Sequence, residues 1–85
     1  MIGELNALRD QTTKYIAKPR LRAVLKEKGI TSQKEFAAMV GVKEPTISRF
    51  DSQTRYDINT LVSISKVLEV PLEELFIIET NKNAE

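Results

Sequence analysis

The stretch SQKEFAAMVGVKEPTISRF, residues 32–50, offers amide, hydroxyl, carboxylate, ammonium and guanidinium groups on either side of one glycine, Gly41. Such groups suit recognition through charge and hydrogen bonds more than covalent chemistry. The chain has no Cys and no His, which excludes disulfides, thiolate or imidazole metal ligation, and Cys or His catalysis. Glu73 and Glu74 are adjacent, so on a helix they point to different sides and make poor partners for acid–base work. With only Gly3, Gly29 and Gly41 available, there is no phosphate-cradling glycine loop. We expect no enzyme, no cofactor and no metal.

Charge is spread unevenly behind a net of +1. From Lys14 to Arg49 nine bases face three acids, a local balance of +6, whereas from Glu69 to Glu85 one base faces five acids, a balance of −4. The first region is able to meet phosphate where the second is not, or the asymmetry is a solvated one of no consequence; charge alone leaves both readings open. At 85 residues the chain is one small domain, with a core that a partner subunit would help stabilise, so a homodimer is expected. Apolar runs are too short to span a membrane and no signal-peptide pattern opens the chain, which leads us to expect a cytoplasmic protein.

The elements that must carry these groups follow from apolar spacing. Leu21, Val24 and Leu25 mark a first helix that stops at Gly29, with Pro19 near its start. Ser32 with Glu35 forms a capping box for a second helix, which buries Phe36, Ala37 and Val40 and ends at Gly41. A third helix is expected over about 44–50; Pro45 is tolerated in its first turn, where no intrahelical acceptor awaits its missing N–H. After an exposed connection, Asp57 caps a fourth helix whose stripe is Ile58, Leu61, Ile64, Val67 and Leu68. PLEELFII, residues 71–78, reads as a fifth helix with Pro71 in its first turn. The same LFII also suits a strand, pairing with the β-branched and aromatic TTKYIAK near the other end. Ile2, Leu5 and Leu8 fit either a helical turn or a subunit contact.

Two helices crossing closely at a sharp angle need a small residue in the first, a permissive turn and a buried aliphatic in the second. Ala37, Gly41 and Ile47 meet those needs, a pattern that fits any helical hairpin when taken alone. Set in the ladder LRAVLKEKGITSQKEFAAMVGVKEPTISRF followed by TLVSISKVLEVPLEELF, from about Leu21 to Phe76, it resembles the Cro/C1-type (XRE-like) helix-turn-helix regulators of bacteria and their phages. The resemblance implies a five-helix, all-α, lambda-repressor-like DNA-binding domain over residues 19–78. A terminal strand pair (13–18 with 75–78) can be added to it. Residues 1–18 would then be an extension serving as strand or dimer contact, and 79–85 a disordered tail.

The same resemblance implies roles. Gln33 matches the family's phosphate-contacting glutamine, its amide and the helix N-terminus both donating; an exposed first-turn Gln is the plainer alternative. Glu44, Pro45, Thr46 and Arg49 match the outward positions of the recognition helix. There Arg49 can grip guanine O6 and N7, Glu44 can accept from a cytosine amino group, and Pro45 and the Thr46 methyl can touch thymine. Lys43 and Ser48 are expected to meet phosphate or else simply to face water, and Arg55, in a connection that resembles the family's loop along the backbone, to bind phosphate. Read from the residues alone, Lys18, Arg20 and Arg22 either extend the positive edge or, as charge runs more often do, form a solvated face. Lys43 departs from the family's usual Ser or Thr cap, and Phe50–Asp51 from its usual Leu or Tyr followed by Glu. The expected function is a sequence-specific double-stranded DNA-binding regulator, a repressor acting as a dimer. The alternative is a protein-interaction module of the same fold, an antitoxin or anti-regulator, which the acidic end LEELFIIETNKNAE favours.

Overall fold

The computed structural model describes residues 13–82, so Ile2, Leu5 and Leu8 and the last residues of the expected tail lie outside the described residues. Strand β1 (Tyr15–Pro19) is followed by helices α1 (Leu21–Glu27), α2 (Gln33–Val40) and α3 (Glu44–Ser48) and a 3-10 turn (Phe50–Ser52). Helix α4 (Ile58–Leu68), a second 3-10 turn (Leu72–Leu75) and strand β2 (Phe76–Thr80) complete the order. Among the described residues there are four α-helices and a two-stranded antiparallel sheet, which corrects the all-α, five-helix expectation.

Side chains start the helices and left-handed residues stop them. The Ser32 hydroxyl accepts from the Glu35 N–H at 3.1 Å to open α2, and the Asp57 carboxylate accepts from the Thr60 N–H at 3.1 Å to open α4. Helix α1 stops in a Schellman motif: Gly29, at φ +75°, donates to Lys26 and Ile30 donates to Leu25. At the end of α2, Gly41 adopts φ +92°, and both its N–H and that of Val42 reach the Ala37 carbonyl. Glu69 ends α4 in the same way at φ 58°, where an L-residue costs roughly 1–2 kcal/mol. The Ser65 hydroxyl donating to Val70 at 2.6 Å helps hold that turn.

The core draws on every helix. Leu21, Val24 and Leu25 of α1 meet Phe36 and Ala37 of α2, Ile47 of α3, Phe50, Leu75, and Leu61, Ile64 and Leu68 of α4. Full burial of a residue such as Phe36 or Ile64 is worth about 1.5–3 kcal/mol. The expected stripe of α4 holds except at Ile58, which is 65% exposed because the first turn runs past the edge of the core. No helix among the described residues is long and apolar enough to cross a membrane.

Residues 71–78 are not a helix. One 3-10 turn, closed by Glu74 N–H to the Pro71 carbonyl at 2.9 Å, gives way at Phe76 to extended chain. A single turn cannot nucleate a stable α-helix, whereas FIIET finds a complete ladder on β1. The register pairs Tyr15 with Thr80 and Pro19 with Phe76, two residues further along β2 than the expected boundary at 78. Backbone bonds Arg20 to Leu75 and Asn81 to Lys14 extend the pairing at both ends.

The third helix is also shorter than expected. It leaves α-geometry after Ser48 and tightens through Phe50–Ser52, which buries the Phe50 ring and swings Asp51 back to α1. The Asp51 carboxylate then accepts from the backbone N–H groups of Leu21 (2.8 Å) and Arg22 (3.1 Å), the first two residues of α1. Arg20, at the cap position itself, supplies no side-chain cap, so Asp51 replaces it from thirty residues away. In return the Arg22 guanidinium reaches the Ser48 carbonyl at the end of α3, at 3.5 Å. Beneath this clamp the Tyr56 ring packs on Phe50 and Phe76, with centroids 4.5 and 5.6 Å away. Its hydroxyl lies 2.6 Å from the Phe50 carbonyl and 2.7 Å from that of Gln53, sharing one proton between them.

Losing the Asp51 carboxylate strands two N–H groups at the positive end of α1. Asp51→Ala is expected to cost about 1–2 kcal/mol in urea unfolding, and Asp51→Asn, which keeps one acceptor, to recover part of it. Burial first, and the nearby Asp51 charge second, hold the Tyr56 phenol above its usual value of 10.0. The folded state therefore keeps this proton where the unfolded chain loses it. Its stabilisation is complete below pH 10 and declines as pH rises beyond, and Tyr56→Phe should flatten that decline in unfolding measured across the alkaline range.

Candidate nucleic-acid interface

The left-handed turn at Gly41 carries the chain from α2 directly into α3, and the residues expected to recognise a ligand lie at the start of α2, along α3 and in the connection after it. Gln33, half-buried, is the first residue of α2; Lys43 is the exposed cap residue of α3. Glu44, Pro45 and Arg49 are exposed on or beside α3, while Thr46 and Ser48 are half-buried. Ile47 points the other way and is 3% exposed, so α3 has one face in the core and one in water. The Ser48 hydroxyl turns back on its own helix toward the Pro45 carbonyl at 3.4 Å, and its backbone carbonyl takes the Arg22 contact. Arg55 is exposed in the connection before α4, apart from α3 in sequence but adjoining the Tyr56 anchor.

Ion pairing separates the bases into two groups. Lys18 pairs across the ribbon with Glu79 at 3.1 Å. Arg20 is engaged by Glu27 at 2.7 Å and by the Glu74 carbonyl at 2.8 Å, with the Glu74 carboxylate 3.7 Å away. Both are thus ion-paired, and Arg20, 21% exposed, ties α1 to the second 3-10 turn. Arg22, Lys26, Lys43, Arg49 and Arg55 have no carboxylate partner among the described residues. Arg49 and Asp51 make no ion pair, because Asp51 is committed to α1.

Between α1 and the start of α2 opens a cleft of about 220 Å³ lined by Arg22, Leu25, Lys26, Gly29, Ile30, Thr31 and Gln33. Its walls hold two cations, one amide and no acid, over an aliphatic floor. It reaches the first residue of α2 through Gln33, and the end of α3 through Arg22, whose guanidinium touches the Ser48 carbonyl. No group of Asp and Glu side chains among the described residues can hold a metal ion.

Two residues here escaped the reading of the sequence. Asp51 was noted only as a departure from the family's glutamate, and its long-range capping of α1 leaves no local pattern. Lys26 entered only as a charge; its position one turn after Arg22, on the same side of α1, was the available signal.

Comparison with known proteins places this geometry. No curated protein and no solved structure gives a significant match to the chain. A family model, that of the Cro/C1-type HTH DNA-binding domain, matches residues 20–81, a span that runs from the start of α1 through the end of β2. With most of its length matched, the chain belongs to the Cro/C1-type helix-turn-helix DNA-binding domain family.

Proposed function

We propose that this protein is a sequence-specific regulator of transcription, a repressor that acts by occupying its site, with α3 entering the major groove of double-stranded DNA. The observation that carries this reading is the solvent face of α3: Glu44, Pro45 and Arg49 stand exposed between Lys43 and Arg55, and none of the bases Lys43, Arg49 and Arg55 is paired with a carboxylate among the described residues. Arg49 reads a guanine edge, Glu44 a cytosine amino group, and Pro45 with the Thr46 methyl a thymine methyl. Gln33, Lys43, Ser48 and Arg55 hold the phosphates on either side. A cytoplasmic setting follows from this role.

The regulator works as a dimer on two half-sites about 34 Å apart. The ribbon supports this, since among the described residues β1 and β2 each leave an edge unpaired, and Tyr15, Ile77 and Ile78 are 61%, 48% and 47% exposed. A bare two-stranded ribbon is marginal in water, and a second copy would both close an edge and cover these side chains. The same apolar ribbon, with the acidic segment beyond α4, is what favours the alternative of a protein-interaction module.

Fluorescence anisotropy against genomic fragments tests the main reading, and absence of both fragment preference and salt dependence would sink it. Within a preferred site, Arg49→Ala is expected to cost about 1–3 kcal/mol and relax selectivity at one base pair, whereas Gln33→Ala weakens all sites alike. Sedimentation tests the dimer: Ile78→Lys should yield a folded monomer that no longer prefers paired half-sites over single ones. A dimer that survives this change places the contact elsewhere, and a stoichiometric protein partner recovered without nucleic acid replaces the DNA reading with the interaction module.

A further inference from the structure

The two edges of the ribbon are not alike. Bonds from the Arg20 N–H to Leu75 and from the Asn81 N–H to Lys14 fix which pairs of the register are hydrogen-bonded, and such pairs alternate along an antiparallel ladder. Tyr15, Ala17 and Pro19 on β1, and Phe76, Ile78 and Thr80 on β2, therefore turn their backbone groups outward. On the β1 edge Pro19 has no N–H, the Tyr15 carbonyl already accepts from the Thr13 hydroxyl at 2.7 Å, and Lys18 is exposed, all features that discourage pairing. The β2 sequence FIIET contains neither proline nor lysine. Its Phe76 N–H closes the 3-10 turn on Glu73, whereas the Phe76 carbonyl and both backbone groups of Ile78 and Thr80 meet no partner among the described residues. Apolar side chains flank this edge on both faces: Ile78 lies with Ala17 and Tyr15 on one, and Ile77 with Ile16 on the other, all exposed.

We propose that a second copy of the chain docks on the β2 edge, antiparallel and centred on Ile78, so that two ribbons join in one sheet ordered β1-β2-β2-β1. The inference rests on the dimeric reading proposed above and names its edge and its register. A two-fold contact sets the central residue opposite itself. With Ile78 at the centre, its N–H and carbonyl exchange both bonds with Ile78 of the second copy, and each Thr80 N–H reaches the opposite Phe76 carbonyl. Moving the centre to Glu79 would place two carboxylates directly opposite at the closest spacing of the ladder, which is destabilising. Moving it to Ile77 would set Ile78 against Phe76, whose N–H is already given to Glu73. The equivalent pairing of β1 about Ala17 would bring Lys14 opposite Arg20 on both sides of the axis, with no acid on that strand to offset them.

Because the chain has no cysteine, a single introduced one reports on a symmetric contact. Opposed residues of a hydrogen-bonded pair have Cα atoms about 5.5 Å apart, within disulfide range. Full-chain Ile78→Cys, oxidised with glutathione disulfide, should therefore run mainly as a covalent dimer on non-reducing gels. Thr80→Cys and Ala17→Cys, also exposed on the ribbon, should remain largely uncrosslinked, since in this register each lies roughly 13–14 Å from its own copy. The proposal is overturned if wild type sediments as a dimer and Ile78→Cys fails to cross-link. It is overturned as well if Thr80→Cys cross-links as fully, which shifts the register, or if Ala17→Cys does, which moves the contact to β1. If wild type sediments as a monomer at every concentration, the dimeric reading itself falls, and this edge contact falls with it.

Discussion

The fold turns on a reciprocal contact between the beginning of α1 and the end of α3. A helix start exposes N–H groups that must find acceptors, and α1 has no local one. Asp51 supplies it from the far side of the helix-turn-helix, while Arg22 returns a donor to the last carbonyls of α3. Each helix end thus satisfies the other, and opposite partial charges of the two termini are matched by opposite side-chain charges. A five-residue α3 has little stability of its own. Its orientation is set by Ile47 in the core, Phe50 just after it and this clamp, so the exposed face of α3 is held at a fixed angle to the body.

The aromatic group beneath the clamp connects it to the chain termini. Phe50, Tyr56 and Phe76 pack as a triad, with Phe50 and Phe76 5.9 Å apart, and Phe76 begins β2. Formation of the ribbon therefore closes the floor under Asp51, and Arg20 reinforces the same corner from the other side through Glu27 and the Glu74 carbonyl. The ribbon is a structural part of the reading domain even though it lies outside the hairpin. A fifth helix at 71–78 would have drawn Phe76 away from this corner.

What could be read from the sequence divides along physical lines. Local rules located the four helices: the Ser32 and Asp57 caps, the stops at Gly29 and Gly41, and the apolar spacing of Leu21, Val24, Leu25, Phe36 and Ala37 are all signals within a few residues. Non-local choices were less visible. LFII carried helix and strand signals together, and the decision lay with β1, about sixty residues earlier. Asp51 carries no local signal, because the N–H groups it accepts from are about thirty residues back. The roles of Lys18 and Arg20 likewise hinged on acids whose approach only the tertiary structure brings about.

Charge pairing also explains how a chain of net charge +1 can serve the proposed role. The acids are not spread evenly over the bases; Glu79, Glu27 and Glu74 cancel cations on the ribbon and at the α1 corner. What remains uncompensated among the described residues includes Lys43, Arg49 and Arg55 around α3 and Arg22 and Lys26 in the cleft beside α2. A protein of high net charge binds any duplex strongly, because phosphate attraction carries no sequence information. Cancelling Lys18 and Arg20 lowers that general attraction while leaving Lys43, Arg49 and Arg55 around α3 without a carboxylate partner among the described residues. In the proposed role, discrimination then depends on the ratio between a correct and an incorrect base edge, the contribution proposed for Arg49 and Glu44.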